Sequence, residues 1–129
     1  MFRGDGCNHC QSFLSFLNDI TEEYGKYFRL VSYETWSDQS NNTLMKKVSN
    51  YLKANATGVP FIIIGNTYYK GYDSARNEDI KKAIMKEYEN NNENDVLVKM
   101  ANSTKDNKPN TVALLIFAGV VIVVMGTYV

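Results

Sequence analysis

"RGDGCNHCQSFLSFLNDI", residues 3–20, holds both cysteines of the chain, Cys7 and Cys10, and its only histidine, His9. A Cys-x-x-C pair either ligates a metal or exchanges electrons, and the residues that follow it bear on the choice. Cys10, Phe13, Leu14, Leu17, Ile20 and Tyr24 recur at intervals of three and four, the period of a helix with one apolar face. A helix therefore starts at or near Cys7, and Gly25 marks its end. Cys10 falls on the core-facing stripe. Cys7 follows Gly4-Asp5-Gly6 at the helix start, where unpaired backbone N–H groups and the positive end of the macrodipole favour an anion. A thiolate is such an anion, so a lowered pKa is expected for Cys7 and not for Cys10. His9 adds to that effect when it is protonated or donating; its plainer role is an idle surface imidazole. The two sulfurs thus differ as disulfide exchange requires, with an exposed attacking thiolate at Cys7 and, one turn along, a buried thiol at Cys10 that resolves the mixed disulfide.

A structural zinc needs about four ligands, usually from two Cys pairs or from one Cys pair and two histidines. One pair, with His9 lying between its members, falls short unless a dimer completes the site. A disulfide between Cys7 and Cys10 would close so small a loop that it hardly constrains the unfolded chain, so its value would be chemical. No metal and no organic cofactor is implied.

The 129 residues are 44% hydrophobic and 22% charged, which fits one folded domain with a little left over. Lys plus Arg equals Asp plus Glu at 14 each, a balance that gives no footprint for nucleic acid. Beyond the first helix, "FRLVSYE" (28–34) is β-branched and aromatic and reads as a strand. "SDQSNNTLMKKVSNYLKAN" (37–55) offers Ser37 or Asp38 as a cap and places Leu44, Met45, Val48, Tyr51 and Leu52 on one helical face. In "TGVPFIIIGNTYYKGY" (57–72), residues 61–64 form an unbroken apolar run, the mark of a strand buried on both faces. Gly65-Asn66 then makes a tight hairpin, with residues 67–72 returning antiparallel. "NEDIKKAIMKEYEN" (77–90) has Asn77 as a cap, Glu78 and Asp79 in the first turn, and Ile80, Ala83, Ile84 and Tyr88 on one face. The order after Cys7 is α-β-α-β-β-α.

"GCNHC" opening a helix, then a strand and a helix, then "TGVPFIIIG", a hairpin and a last helix resembles the thioredoxin superfamily over residues 1–89. The resemblance implies an α/β fold with a mixed sheet and flanking helices, in the order (β)-α-β-α-β-β-α. It implies that Pro60 follows a cis peptide bond and that its loop lies against the active-site disulfide, while the backbone of Val59 pairs with an incoming substrate strand. The role it gives the protein is disulfide exchange in cell redox homeostasis, with Cys7, Cys10 and His9 catalytic and Val59 and Pro60 binding substrate. Its partners are cysteine-containing protein substrates and a redox partner protein. The sequence departs from the family in three places. Gly6 replaces the usual aromatic, and Asn8-His9 replace Gly-Pro, a dipeptide closer to the oxidising branch. Only Met-Phe-Arg is left for the strand before the cysteines, so a first strand cut short is expected, with further chain upstream.

"TVALLIFAGVVIVVMGTYV" (111–129) is apolar throughout and carries no charge. At about 1.5 Å per residue it reaches close to the ~30 Å of a hydrocarbon core, so it is expected to be a transmembrane helix in contact with membrane lipid. Residues 90–110 read as a polar linker ending near Pro109. Lys99, Lys105 and Lys108 precede the helix, which by charge alone would hold the domain in the cytoplasm. Membrane-tethered proteins that resemble this arrangement commonly face outward, and a chain with no thiols beyond the Cys-x-x-C suits an oxidising space. An extracytoplasmic domain on a single-pass C-terminal anchor is the preferred expectation. From other classes, the rivals are a redox-inactive thioredoxin-like interaction module and a dimeric zinc site.

Overall fold

The computed structural model describes residues 1–90 and 95–105. Eight elements follow one another: β1 (Phe2–Arg3), α1 (Asn8–Tyr24), β2 (Tyr33–Glu34), α2 (Gln39–Leu52), β3 (Phe61–Ile64), β4 (Thr67–Lys70), α3 (Asn77–Glu89) and α4 (Val96–Lys105). Short 3-10 turns, Gly25–Tyr27 and Ser74–Arg76, follow α1 and precede α3. The four strands form one mixed sheet in the order β2-β1-β3-β4, with β1 parallel to β2 and antiparallel to β3.

Alternation along β3 divides the core in two. Phe61 packs on one side with Phe2, Met45, Val48, Ala54 and Val96, which brings α2 and α4 to that face. Ile62 points to the other, among Cys10, Phe13, Leu17, Ile80 and Ile84, the inner stripes of α1 and α3. Both faces of the sheet are therefore covered, as an uninterrupted apolar strand demands. Phe61 and Ile80 are completely buried, and Phe2 is sandwiched by the rings of Tyr33 at 5.3 Å and Phe61 at 6.1 Å.

Several elements differ from the sequence-based expectation. Of residues 28–34 only Tyr33–Glu34 forms strand, because β1 presents just two residues for it to pair with, Phe2 opposite Tyr33 and Arg3 opposite Glu34. The first strand is as short as Met-Phe-Arg implied. Gly65-Asn66 does turn a hairpin, but β4 ends at Lys70: Gly71 adopts φ +90° and its N–H donates to the Pro60 carbonyl at 2.8 Å. Tyr72 leaves the sheet and packs its ring on Phe13 and Phe16, with centroids 5.3 and 6.0 Å away. Its hydroxyl donates to Asn77 Oδ1 at 2.6 Å, so Asn77 does not cap α3; the N-cap position is Arg76, which forms no side-chain capping bond. Tyr51 and Tyr88, assigned to inner faces, are exposed, whereas Phe16 is buried.

Helix α4 stands inside the stretch read as a polar linker, residues 90–110. Asp95 Oδ1 caps it, accepting from the N–H groups of Leu97 at 2.9 Å and Val98 at 3.3 Å. Val96 and Ala101 are buried. A sequence rich in Asn and Lys thus hides a cap followed by enough apolar residues to dock one short helix. Among the described residues no helix is long and apolar enough to cross a membrane. The expected membrane helix, 111–129, lies outside the described residues.

Candidate functional site

The link from β1 to α1 is four residues long, and each end of it is fixed. Gly6 takes φ +87°, a left-handed conformation that glycine adopts without strain, and so turns the chain into the helix. The Cys7 N–H donates to the Gly4 carbonyl at 3.1 Å. Cys7 then occupies the N-cap of α1, a place usually held by Ser, Thr, Asp or Asn, and its Sγ accepts from the Cys10 N–H at 3.2 Å. Sulfur there receives a backbone donor and faces the positive end of the helix dipole, both of which favour a thiolate.

Cys7 and Cys10 are joined by a disulfide. Cys7 is 6% exposed and Cys10 1%, so Cys7 is less open than the sequence implied, though it remains the more accessible residue of the two. Cys10 belongs to the core stripe of α1 together with Phe13, Leu17 and Ile20.

Val59 and Pro60 approach from the far side of the sequence. The Val59–Pro60 bond is cis, Pro60 is fully buried at the head of β3, and the Val59 carbonyl oxygen lies 4.0 Å from Cys7 Sγ. Among the described residues the Val59 backbone enters no backbone–backbone hydrogen bond, and its carbonyl faces Cys7 Sγ. The fold thus brings Cys7, Cys10, Val59 and Pro60 together. His9 is exposed and lines an open polar groove with Asn8, Gln11, Ser12 and Asp73; among the described residues it forms no hydrogen bond to either sulfur. Among the described residues no group of three or more His, Cys, Asp and Glu side chains has the arrangement to hold a metal ion.

Two residues of this site were missed in the sequence. The Glu34 carboxylate accepts from the N–H groups of Asp5 at 3.0 Å, Trp36 at 3.1 Å and Ser37 at 2.9 Å, and from the Ser37 hydroxyl at 2.7 Å. These bonds, the one from Asp5 foremost, push its pKa down to about 2, and they tie the Cys7 loop to the loop between β2 and α2. Trp36 lies over Gly4 so closely that a Cβ at that position would run into the indole, yet the residue is 60% exposed. The signal for both was a strand-ending glutamate followed by Thr-Trp-Ser-Asp, a turn sequence containing the chain's single tryptophan.

Comparison of the chain with protein-family models, with curated proteins and with solved structures gives no match.

Proposed function

We propose that the protein is a thioredoxin-like thiol–disulfide oxidoreductase, held at a membrane by residues 111–129 and acting on cysteine-containing segments of other proteins. The observation that carries this proposal is the position of Cys7: its sulfur is the N-cap of α1, accepts the Cys10 N–H, and sits 4.0 Å from the Val59 carbonyl oxygen. The element order β-α-β-α-β-β-α over residues 1–89 supports it as well. No resident metal or organic cofactor is invoked.

In the reducing direction the Cys7 thiolate attacks one sulfur of a substrate disulfide. The substrate S–S bond breaks, a Cys7–substrate disulfide forms, and the departing thiolate takes a proton from solvent. The Cys10 thiol then loses its proton and attacks the Cys7 sulfur, which releases the second substrate thiol and leaves the Cys7–Cys10 disulfide. Two electrons pass from the pair to the substrate, and a redox partner protein restores the dithiol. The oxidising direction is the same sequence reversed. Val59 holds the substrate segment as an added strand through its backbone N–H and carbonyl, with Pro60 shaping the floor beneath it.

Alkylation of the reduced full chain with iodoacetamide at about pH 6 tests the chemistry: Cys7 is expected to react at least tenfold faster than a thiol with pKa ~8.5. Reaction at or below the ordinary rate overturns the catalytic role. The same step with a membrane-impermeant maleimide on intact cells tests the location, since labelling is expected without lysis. Labelling only after lysis overturns the outward orientation.

A further inference from the structure

On the rim of the site stands an exposed indole with no task in the exchange itself. Trp36 rests on Gly4, and the Gly4 carbonyl receives the Cys7 N–H at 3.1 Å, so the ring is one turn of backbone away from the attacking residue. A large aromatic residue is costly to display in water, and tryptophan is the residue most enriched among the anchors of protein interfaces. The loop that carries the ring is also held in place. The Trp36 backbone N–H donates to Glu34 Oε2 at 3.1 Å, and the same carboxylate accepts from the Asp5 N–H across the loop. A loop that is ordered before binding loses less entropy when a partner covers it.

Its surroundings are acidic. The two loops that meet there, residues 3–6 and 34–38, contain Asp5, Glu34 and Asp38 against one cation, Arg3. Arg3 is already committed, pairing with Asp5 at 2.6 Å. Glu34 and Asp38 spend their charges on backbone N–H and hydroxyl donors, which hold both carboxylates in the ionised form. The face presented to an arriving segment is therefore an aromatic plane set in net negative charge. A Lys or Arg side chain answers both properties, since it is attracted to the π-face and to the carboxylates, whereas an acidic side chain is repelled by the same groups.

We propose that Trp36 is a specificity-determining residue that receives a Lys or Arg flanking the reacting cysteine of the substrate segment. This rests on the oxidoreductase role given above and names the substrate class of that site. Val59, whose carbonyl lies 4.0 Å from Cys7 Sγ, takes substrate backbone, and Trp36, which rests on Gly4, takes a basic side chain, so two contacts set the register of the segment. Anionic thiols such as glutathione are poor partners for such a rim.

The test uses the reduced full chain in detergent and three short peptides whose single cysteine is held as a disulfide with 2-mercaptoethanol. The residues flanking that cysteine are Lys in one, Leu in the second and Glu in the third. Second-order rate constants are taken from acid-quenched samples at low ionic strength, and each protein's rates are divided by its own rate with hydroxyethyl disulfide, which has no flanking residues. The Lys peptide is expected to exceed the Glu peptide about tenfold, with Leu between. Trp36→Ala is expected to cut that ratio by at least about threefold. Trp36→Phe, which keeps a ring over Gly4, decides the matter where the alanine variant fails to fold; it is expected to retain only part of the preference. Equal rates for the Lys and Glu peptides, or a ratio that neither variant changes, overturns the role of Trp36 while leaving the oxidoreductase intact. Failure of the wild-type chain to exchange with hydroxyethyl disulfide and with every peptide overturns both.

Discussion

Glu34 shows how much of this site depends on one carboxylate away from the sulfurs. It accepts four hydrogen bonds and joins the Cys7 loop to the β2–α2 loop, and these bonds hold its pKa near 2, down from an ordinary 4.5. A carboxyl group whose folded pKa is depressed contributes stability that is fully present above its unfolded pKa and is lost as pH falls through the folded one. Glu34→Gln is therefore expected to lower the urea midpoint at neutral pH. The gap from wild type should narrow as pH falls from about 4.5 towards about 2. A gap of constant size across that range would mean that Glu34 acts by shape and not by charge. Part of the site was legible at this scale. Cys7 and Cys10 stood out through their spacing at a helix start, and Pro60 through the resemblance to the thioredoxin superfamily. Glu34 and Trp36 did not, because their role comes from a contact between loops some thirty positions apart, which no local period records.

Among the elements, α4 separates what patterning can show from what it cannot. The strong periods of α1, α2 and α3 predicted helices whose bounds agree closely with Asn8–Tyr24, Gln39–Leu52 and Asn77–Glu89. The strand over 28–34 shrank to two residues because strand length is shared with a partner, and β1 supplies only Phe2–Arg3. Helix α4 was missed because its ten residues sit among Asn, Lys and Asp, where composition outweighed a cap at Asp95 and the apolar pair Val96 and Leu97. It is attached through the cap and through Val96, set against Phe2, Met45 and Val48, with Leu97 and Met100 packed on the same cluster. Asp95→Ala should cost about 1 kcal/mol of helix stability. The loss is expected as faster amide exchange at residues 98–101, with the amides of α1 unchanged. Acceleration throughout the chain would show that α4 is part of the main cooperative unit.

At the scale of the whole molecule, the covered sheet and the helix start serve one arrangement. Apolar residues on both faces of β3 hold α1 and α3 against one side and α2 and α4 against the other. That packing fixes the N-terminus of α1 at the edge of the core, with Cys10 inside and Cys7 at the margin, next to the turn that leads into β3. The α/β class and the element order could be read from the chain because hydrophobic period changes from helix to strand and back. The strand order could not, since it depends on which edges pair in space.

The central claim is that Cys7–Cys10 is a working redox couple and not a fixed crosslink, and its reduction potential decides this most directly. The full chain is equilibrated with graded ratios of reduced to oxidised glutathione, and the fraction of dithiol is counted after acid trapping. The N-cap position of Cys7 stabilises the reduced form and raises the potential, so a reversible two-electron transition is predicted between about −270 and −120 mV. A pair that stays oxidised to below about −300 mV, the range of structural disulfides, would contradict the account.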